Sequence, residues 1–350
     1  MKRHACPDFF EGGARMDSSR TKRKSVLLLC SRFFGYEKRI RDALSDIGLD
    51  VHLHDERPNE GFISKSCSRL NVGLYRPFLR RYYRSIISRY GADSFDYVLV
   101  VTGEAVNEQI LQMLRQAYPK AEFILYLWDS VINIPDCRHR MKLYDRVLTF
   151  DPADAKTFSI PFLSVPYGKE HTRSYPEGPI DYDVTFVGTA HSIRPRVVKE
   201  ITRLCAEQGK KCFTYFYSPH ILVYIANKLI NPSYRYITLK DVHFKSLSIE
   251  EVCKIYAASR CVLDIEHTGQ HGSTPRTVEM LPMKRKVITT NTSVLTGDFY
   301  HENNFLIIDR ANPQIDMAFF DTPYVPVSED ILTRYSPEYF ARCLFPDLEG

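Results

Sequence analysis

The residues best suited to chemistry lie in one segment, residues 270–291 of the 350-residue sequence. The order of residues predicts a loop that ends near Pro275, where a helix begins. Amide groups at the start of that helix, with Thr274 and Arg276, suit the charge of a diphosphate, and a carboxylate such as Glu279 can accept both hydroxyl protons of a ribose. The segment therefore indicates a site for a nucleotide diphosphate sugar. The simpler alternative is a capped helix with solvated charges.

A second candidate segment follows a predicted strand at residues 184–188. Gly188 permits close approach of a ligand to the backbone, Thr189 comes next in the turn, and Arg194 can balance diphosphate charge. A lone glycine after a strand is weak evidence, and Arg194 could equally be a surface residue that opens a helix. The turn is the second part of the predicted diphosphate site.

Two sheets are needed to position these segments. Short apolar strands alternate with helices, which predicts parallel sheets covered on both faces. A stretch rich in proline, glycine and charge at residues 175–181 separates the two halves, and each half is Rossmann-like. The predicted organisation is a flexible basic leader at 1–23, an N-terminal domain at 24–174, a C-terminal domain at 175–330, and a helical tail at 331–350 that packs back on the N-terminal domain.

Composition supports two folded domains. With 44% hydrophobic and 25% charged residues, the chain can bury a core and is unlike a disordered protein. The net charge of +5 does not by itself indicate a nucleic-acid partner. The nine cysteines show no metal-binding spacing and are typical of a reduced, cytoplasmic protein. No apolar stretch approaches the roughly 20 residues that cross a bilayer, and we expect no signal peptide.

Four short motifs, taken in their order along the chain, make the sequence resemble GT-B glycosyltransferases. Among these enzymes it most resembles the bacterial polysaccharide-biosynthesis and CgeB-type branch. The motifs are FFGYE (33–37), YLWDS (126–130), DVTFVGT (183–189) and RTVE (276–279) with its continuation to residue 291. The resemblance implies an α/β GT-B fold, with two Rossmann-like domains whose parallel sheets face a central cleft. It also implies that the first domain binds an acceptor and the second a nucleotide-sugar donor. The implied reaction moves a sugar to a glycan or lipid-linked acceptor in surface-polysaccharide or related glycan biosynthesis.

Two positions depart from the pattern of these families. Many of them carry a first Glu ahead of the one that matches Glu279, and on this sequence it falls on His271. A later glycine falls on Lys284. His271 can hydrogen-bond a sugar hydroxyl or a phosphate without replacing a carboxylate, so Glu279 is the stronger donor contact. A nucleotide-sugar epimerase on the same fold is the alternative enzyme, and the missing first Glu keeps an inactive nucleotide-sugar-binding scaffold as a further alternative.

Two carboxylates in the first half could act as the catalytic base. Glu104 and Asp129 each follow a predicted strand, so they reach the same edge of the sheet. An inverting transfer needs such a group to take the proton of the acceptor hydroxyl, whereas a retaining transfer needs mainly positioning of the donor. For either residue, N-capping or loop anchoring is an equal alternative.

No Asp-x-Asp lies in the context of a glycosyltransferase metal site, since Asp181-Tyr182-Asp183 precedes a strand. We therefore expect no metal and no cofactor other than the donor substrate. Positive side chains would then stabilise the departing diphosphate. The candidates are Arg276, Arg194 and Lys284.

Residues 65–89 interleave arginines with aromatic and aliphatic residues, and no acidic residue occurs between Glu60 and Asp93. A basic, aromatic helix suits an anionic membrane surface and would bring the enzyme to a lipid-linked acceptor. A helix with an aromatic core face and a solvated basic face is the alternative, and nothing else in the chain supports nucleic acid. We expect a cytoplasmic protein that can act at the inner face of the membrane.

Overall fold

The structure, a computed structural model, describes residues 23–32, 34–57, 72–134, 136–173, 180–267, 269 and 271–348, without the side chains of residues 72–75. Phe33, Gln270, most of the predicted leader and linker, and the start of the basic stretch lie outside the described residues. The chain divides into two compact units. Unit 1 is Met1–Ser164 with Pro337–Gly350, and unit 2 is Val165–Ser336.

The described part of unit 1 contains a five-stranded parallel sheet. Its strands are β1 (Ser25–Cys30), β2 (Asp50–His54), β3 (Tyr97–Val101), β4 (Glu122–Leu127) and β5 (Arg146–Thr149), in the spatial order β2-β1-β3-β4-β5. Among the described residues up to Ser164, the helices are α1 (Tyr36–Asp46), α2 (Val72–Ile87), α3 (Glu108–Ala117), α4 (Cys137–Met141) and α5 (Pro152–Phe158). Strand β3 is apolar and buried along its whole length, as expected where helices cover both faces of a sheet.

The described part of unit 2 contains a six-stranded parallel sheet. Its strands are β6 (Tyr182–Thr189), β7 (Cys212–Tyr217), β8 (Val242–His243), β9 (Ser259–Asp264), β10 (Lys286–Thr289) and β11 (Phe305–Ile307), in the spatial order β11-β10-β9-β6-β7-β8. The helices are α6 (Arg194–Glu207), α7 (Ile221–Ile230), α8 (Ile249–Ala257), α9 (Pro275–Met283) and α10 (Glu329–Arg334). Alternating strands and helices thus build a second, separate core.

The chain returns to unit 1 through a last helix, α11 (Pro337–Leu344). The ring of Phe340 lies 4.9 Å from that of Tyr126 and 6.4 Å from that of Trp128. The pattern of residues 335–344 predicts a helix, and the structure begins it two residues later. Tyr335 is the C-cap of α10, and Pro337, which cannot continue a preceding helix, begins α11.

The unit boundaries also differ from the predicted ones. Phe162 pairs with Thr149 in a β-bridge, and the N–H of Leu163 donates to the carbonyl of Thr149 at 2.9 Å, so the chain stays with unit 1 up to Ser164. A 3₁₀ turn, Lys169–Thr172, already belongs to unit 2. The divisions therefore fall at 164/165 and 336/337, against 174/175 and 330/331 from the sequence.

Helix α2 carries the described part of the basic stretch. It buries Leu79, Tyr83 and Ile86 against unit 1 and leaves Phe78 68% exposed. The Tyr83 hydroxyl donates to the carbonyl of Glu56 at 3.0 Å, which fixes the helix beside the end of β2. The aromatic residues thus divide between a core face and the surface. None of the described helices combines the length and apolar character needed to traverse a bilayer.

Candidate functional site

The carboxyl ends of β6 and β9 lie side by side in the sheet of unit 2. Strands β7 and β8 extend the sheet on one side of β6, whereas β9, β10 and β11 extend it on the other side. The strand order therefore reverses between β6 and β9. Ligands bind in the crevice outside such a reversal. Gly188 and Thr189 end β6, Asp264 ends β9, and Arg194 begins α6. We call these strand ends, with that of β10 and the first turns of α6 and α9, the unit 2 edge.

Asp264 fixes the start of α9. Its carboxylate is buried, and its Oδ2 accepts hydrogen bonds from the hydroxyls of Thr274 at 2.5 Å and Thr277 at 2.6 Å. Thr274 is the N-cap, and its hydroxyl oxygen also accepts from the backbone N–H of Thr277 at 3.3 Å. Pro275 follows at the first helical turn, where a backbone N–H is not needed. The predicted helix start is therefore held to β9 by a residue that the sequence analysis did not select.

Arg276 reaches from α9 to the end of β6. Its Nη2 donates to the carbonyl of Val187 at 2.5 Å, its Nε donates to the hydroxyl of Tyr256 at 3.1 Å, and its Nη1 lies 3.4 Å from Oδ1 of Asp264. Gly188 leaves room for this arrangement, because a Cβ atom there would lie 3.1 Å from Nη2. Burial lowers the pKa of Arg276, but Tyr256 and Asp264 raise it above its ordinary value. The guanidinium is therefore charged and held in place.

A second arginine, Arg194, lies at the same edge. Its Nε donates to the carbonyl of Ile265 at 2.8 Å. Burial, followed by repulsion from Arg276, lowers the pKa of Arg194 to about 10, so the side chain is still a cation at neutral pH. Burial and then Arg194 lower the pKa of His191 to about 3, which keeps this histidine neutral. An anionic ligand at the unit 2 edge would relieve the repulsion between the two arginines.

Glu279 lies three residues beyond Arg276 on α9, so both side chains project from one face of the helix. It is 5% exposed, and its Oε2 is 3.5 Å from Nε2 of His171. Nδ1 of His171 is 3.1 Å from the carbonyl of Gly168, which can only accept, so the proton of a neutral His171 lies on Nδ1. The sequence analysis missed His171, which precedes unit 2's first strand.

Glu266, two residues beyond Asp264, carries a polar cluster that the sequence analysis also missed. Its buried carboxylate accepts a hydrogen bond from the hydroxyl of Thr290, just past β10, and forms an ion pair with Arg310. Asp264 and Glu266 are two residues apart at the end of an apolar strand, which is the spacing of residues on one side of a strand. That spacing was the signal available in the sequence.

Two further positions singled out in the sequence, His271 and Lys284, lie before and after α9. His271 is exposed in the loop before α9, where the carbonyl of Gly272 accepts from Nδ2 of Asn291 at 2.9 Å. Lys284 is the C-cap of α9, about 14 Å along the helix from its start. Its φ of 54° is left-handed, a conformation that glycine adopts without strain. The position where the resembling families carry glycine is therefore a conformational one.

The two predicted bases lie at the ends of adjacent strands of unit 1. Glu104 follows β3, is exposed, and pairs with Arg57 at 3.1 Å. Asp129 follows β4, and its Oδ1 accepts from the N–H of Ser130 at 2.8 Å and from Nδ2 of Asn133 at 2.9 Å. We call the carboxyl ends of β1 to β4 the unit 1 edge. At this edge Asp129 anchors its own loop.

A fully buried carboxyl, Glu56, lies just past β2 at the unit 1 edge. Its Oε1 accepts from the hydroxyl of Ser31 at 2.6 Å and lies 3.8 Å from Nε of Arg57, which also pairs with Glu104. Burial raises the pKa of Glu56 to about 7, against the lowering effects of Ser31 and Arg57. The group therefore holds its proton close to neutrality. Nothing in the sequence pattern distinguished it from neighbouring charged residues.

Within the described ranges, no group of three or more His, Cys, Asp or Glu residues is arranged to hold a metal ion. Whether the protein works without a metal stays a prediction from the sequence.

No protein-family model and no curated protein match the sequence. Solved structures do match. HepE (Alr3699) from Anabaena, in complex with UDP and glucose, has a TM-score of 0.58 and 11% identity, covering 92% of this chain and 96% of that one. Sucrose-phosphate synthase from Thermosynechococcus elongatus has a TM-score of 0.53 and 12% identity, covering 93% and 95%. An alpha-glucosyltransferase in complex with UDP and a 13-mer DNA has a TM-score of 0.53 and 10% identity, covering 92% and 95%.

The chain has the GT-B fold. Its two parallel α/β sheets confirm the fold class predicted from the sequence. At identities of 10 to 12% the likeness establishes the fold alone. The closer resemblance to CgeB-type proteins stays a prediction from the motifs.

Proposed function

We propose that this GT-B protein is a glycosyltransferase that binds a nucleotide-sugar donor at the unit 2 edge. The observation that carries the proposal is the pair of cationic arginines, Arg194 and Arg276, beside the strand reversal of unit 2. A site that holds two arginines in fixed positions is prepared for an anion such as a diphosphate. The UDP complexes of HepE and of the alpha-glucosyltransferase, which share the fold, make UDP the first nucleotide to test.

Each predicted donor residue has a part in this proposal. The backbone at Gly188 and Thr189 and the first turn of α9, capped by Thr274, approach the diphosphate, and the arginines neutralise it. Glu279 accepts the ribose hydroxyl protons. His271, which is exposed in the loop before α9, contacts the sugar or a phosphate.

The reaction follows from this binding mode. An acceptor hydroxyl oxygen forms a bond to the anomeric carbon of the donor, the bond from that carbon to the diphosphate oxygen breaks, and the nucleoside diphosphate leaves. Arg194 and Arg276 stabilise the departing charge without a metal ion. Glu104 or Asp129 in unit 1 takes the hydroxyl proton if the transfer is inverting. The acceptor is a glycan or a lipid-linked glycan, in surface-polysaccharide or related glycan biosynthesis.

The same proposal places the protein in the cytoplasm, at the inner face of a membrane when the acceptor is lipid-linked. In α2, Arg76, Arg81 and Arg84 are exposed beside Phe78. Such a surface suits anionic headgroups.

A panel of nucleotides and nucleotide sugars, with UDP and UDP-glucose first, tests the donor site by thermal unfolding in the presence of a metal chelator. A ligand that binds only the folded protein raises the melting temperature. Arg194→Gln should abolish the shift, whereas Arg203→Gln, which changes an exposed arginine on the same helix, should preserve it. If no nucleotide or nucleotide sugar shifts the wild-type protein, the donor site is rejected.

Activity of Glu104→Gln and Asp129→Asn, measured with an acceptor, tests the base. Loss of a general base slows transfer by about 10² to 10⁴-fold while leaving the donor-induced thermal shift in place. Full activity in both variants would remove both residues from the chemistry.

A further inference from the structure

Helix α7 in unit 2 turns its large apolar side chains towards solvent. Leu222 is 60% exposed, Ile225 46%, Leu229 81% and Ile230 78%. The spacing of Leu222, Ile225 and Leu229 by three and four residues puts them on one face of the helix. Within α7 only Tyr224 is buried. A contiguous apolar surface of this kind marks an interaction site.

The helix is fixed in this orientation by polar contacts on its other side. The N-cap His220 accepts from the backbone N–H of Leu222 at 3.1 Å. Near the other end, Nζ of Lys228 donates to the carbonyls of Tyr234 at 2.7 Å and Ile237 at 2.6 Å. The outward apolar face is therefore part of a specified structure.

The surroundings of this face are basic. Between Glu207 and Asp241 the sequence has no acidic residue, and Asp241 itself pairs with Lys199 at 2.5 Å. Arg235 and Lys240 are exposed in the segment that follows α7. Beyond β8, Phe244 is 39% exposed and Lys245 is exposed. Strand β8 lies close to the start of α7, because the carbonyl of His243 accepts a hydrogen bond from the N–H of Ser218. Arg235, Lys240 and Lys245 thus place positive charge beside the apolar side chains, while Asp241 is paired with Lys199 and Glu251 lies within electrostatic reach of Lys245.

We propose that α7 is a membrane-docking helix that inserts its exposed apolar side chains into an anionic lipid surface, while Arg235, Lys240 and Lys245 contact the headgroups. An apolar face with basic flanks is the pattern of helices that lie in the plane of a membrane interface. A second copy of the chain fits less well, because a two-fold contact would bring the basic flanks of both copies together. This surface is separate from the basic face of α2 and does not depend on the donor site.

Flotation of the full chain with phosphatidylcholine vesicles, with and without phosphatidylglycerol, tests the proposal without any sugar donor. We expect binding that requires the anionic lipid. Leu229→Ser with Ile230→Ser should weaken it about a hundredfold, since a fully inserted side chain of this size contributes about tenfold. Ile132→Ser, which removes an apolar side chain that is 83% exposed in unit 1, should bind as the wild type does.

Two further variants and a measurement of oligomeric state can refute the proposal. Arg235→Glu with Lys240→Glu should reduce binding to anionic vesicles, and equal binding by this variant overturns the role of the basic flanks. Arg81→Ser with Arg84→Ser in α2 should leave part of the binding in place. If the α7 variant binds vesicles normally, or if light scattering shows a wild-type dimer that this variant converts to a monomer, the docking proposal is wrong.

Discussion

The carboxyl edges of the two sheets differ in how their polar side chains are held. At the unit 2 edge, Asp264 is bound by Thr274, Thr277 and Arg276, and all four belong to one buried or half-buried network. At the unit 1 edge, Glu104 is exposed with one arginine partner. The first arrangement fixes charges before a ligand arrives, and the second leaves a carboxylate accessible to incoming groups.

This difference matches the demands of two kinds of ligand. A diphosphate carries fixed charge, so oriented cations bind it with little reorganisation. An acceptor hydroxyl is neutral and needs a base that it can reach. We infer that rigidity belongs to the donor side of the proposed reaction and accessibility to the acceptor side. The following variants test that contrast.

Asp264→Asn should have the largest effect on stability. It leaves Arg276 without its carboxylate partner in a half-buried site, and breaking such a pair costs about 3 to 5 kcal/mol. Denaturant unfolding followed by fluorescence measures this loss. Glu104→Gln is the matched change at the unit 1 edge, where an exposed pair is worth about 1 kcal/mol or less. Similar losses in both variants would end the contrast between the edges.

Glu56→Gln tests a buried carboxyl that departs from the exposed character of Glu104 at the unit 1 edge. The unfolded chain ionises Glu56 at its ordinary pKa of 4.5, whereas the folded protein keeps the proton up to about 7. The wild type therefore loses about 3 kcal/mol of stability between those two pH values and no more above them. Glutamine cannot ionise, so the variant's stability relative to the wild type should rise over the same range. Unfolding free energies at about pH 5 and about pH 8 check this, and a constant difference would show that Glu56 is already ionised.

Glu279→Gln should lower the affinity for the donor, and it should lower the free energy of unfolding by less than Asp264→Asn does. Hydrogen bonds to a charged acceptor contribute about 1.5 to 3 kcal/mol, so nucleotide affinity should fall about tenfold to a hundredfold. Titration calorimetry with UDP measures it. Glu266→Gln serves as the control, because Thr290 and Arg310 already bind its carboxylate. Unchanged affinity in Glu279→Gln would remove this residue from the ribose contact.

Lys284→Gly should have the smallest effect. It should raise the free energy of unfolding by about 1 kcal/mol, because glycine adopts a left-handed φ without strain. Lys284→Ala keeps the strain while removing the charge, so it should not gain stability. Equal thermal stability of the two variants would contradict the conformational role. Weaker UDP binding in both would instead support a contact with the diphosphate.

Much of the fold was readable from the sequence because its signals are local. Apolar runs and turn residues in the sequence predict a helix at 221–230 and a strand at 212–217, and the structure has both elements with these bounds. The strand β8, which has two residues, and the short helices α4 and α5 were missed because so few residues give no period.

The site was only partly readable, for a different reason. The start of α9 carried its own signal in Thr274 and Pro275. Asp264 had only its spacing from Glu266, and His171 and Glu56 had no signal, because their importance lies in burial and in partners distant along the chain. A sequence pattern reports spacing, whereas desolvation and the orientation of a neighbour depend on tertiary structure.

The return of α11 to unit 1 has a consequence for how the protein is made. Synthesis proceeds from the N-terminus, so all of unit 2 is complete before Phe340 can pack against Tyr126 and Trp128. On the ribosome, unit 2 is therefore the first to have its full set of residues, while unit 1 still lacks the helix that contacts Tyr126 and Trp128. Unit 1 can therefore complete its packing only after residues 165–336 have been translated.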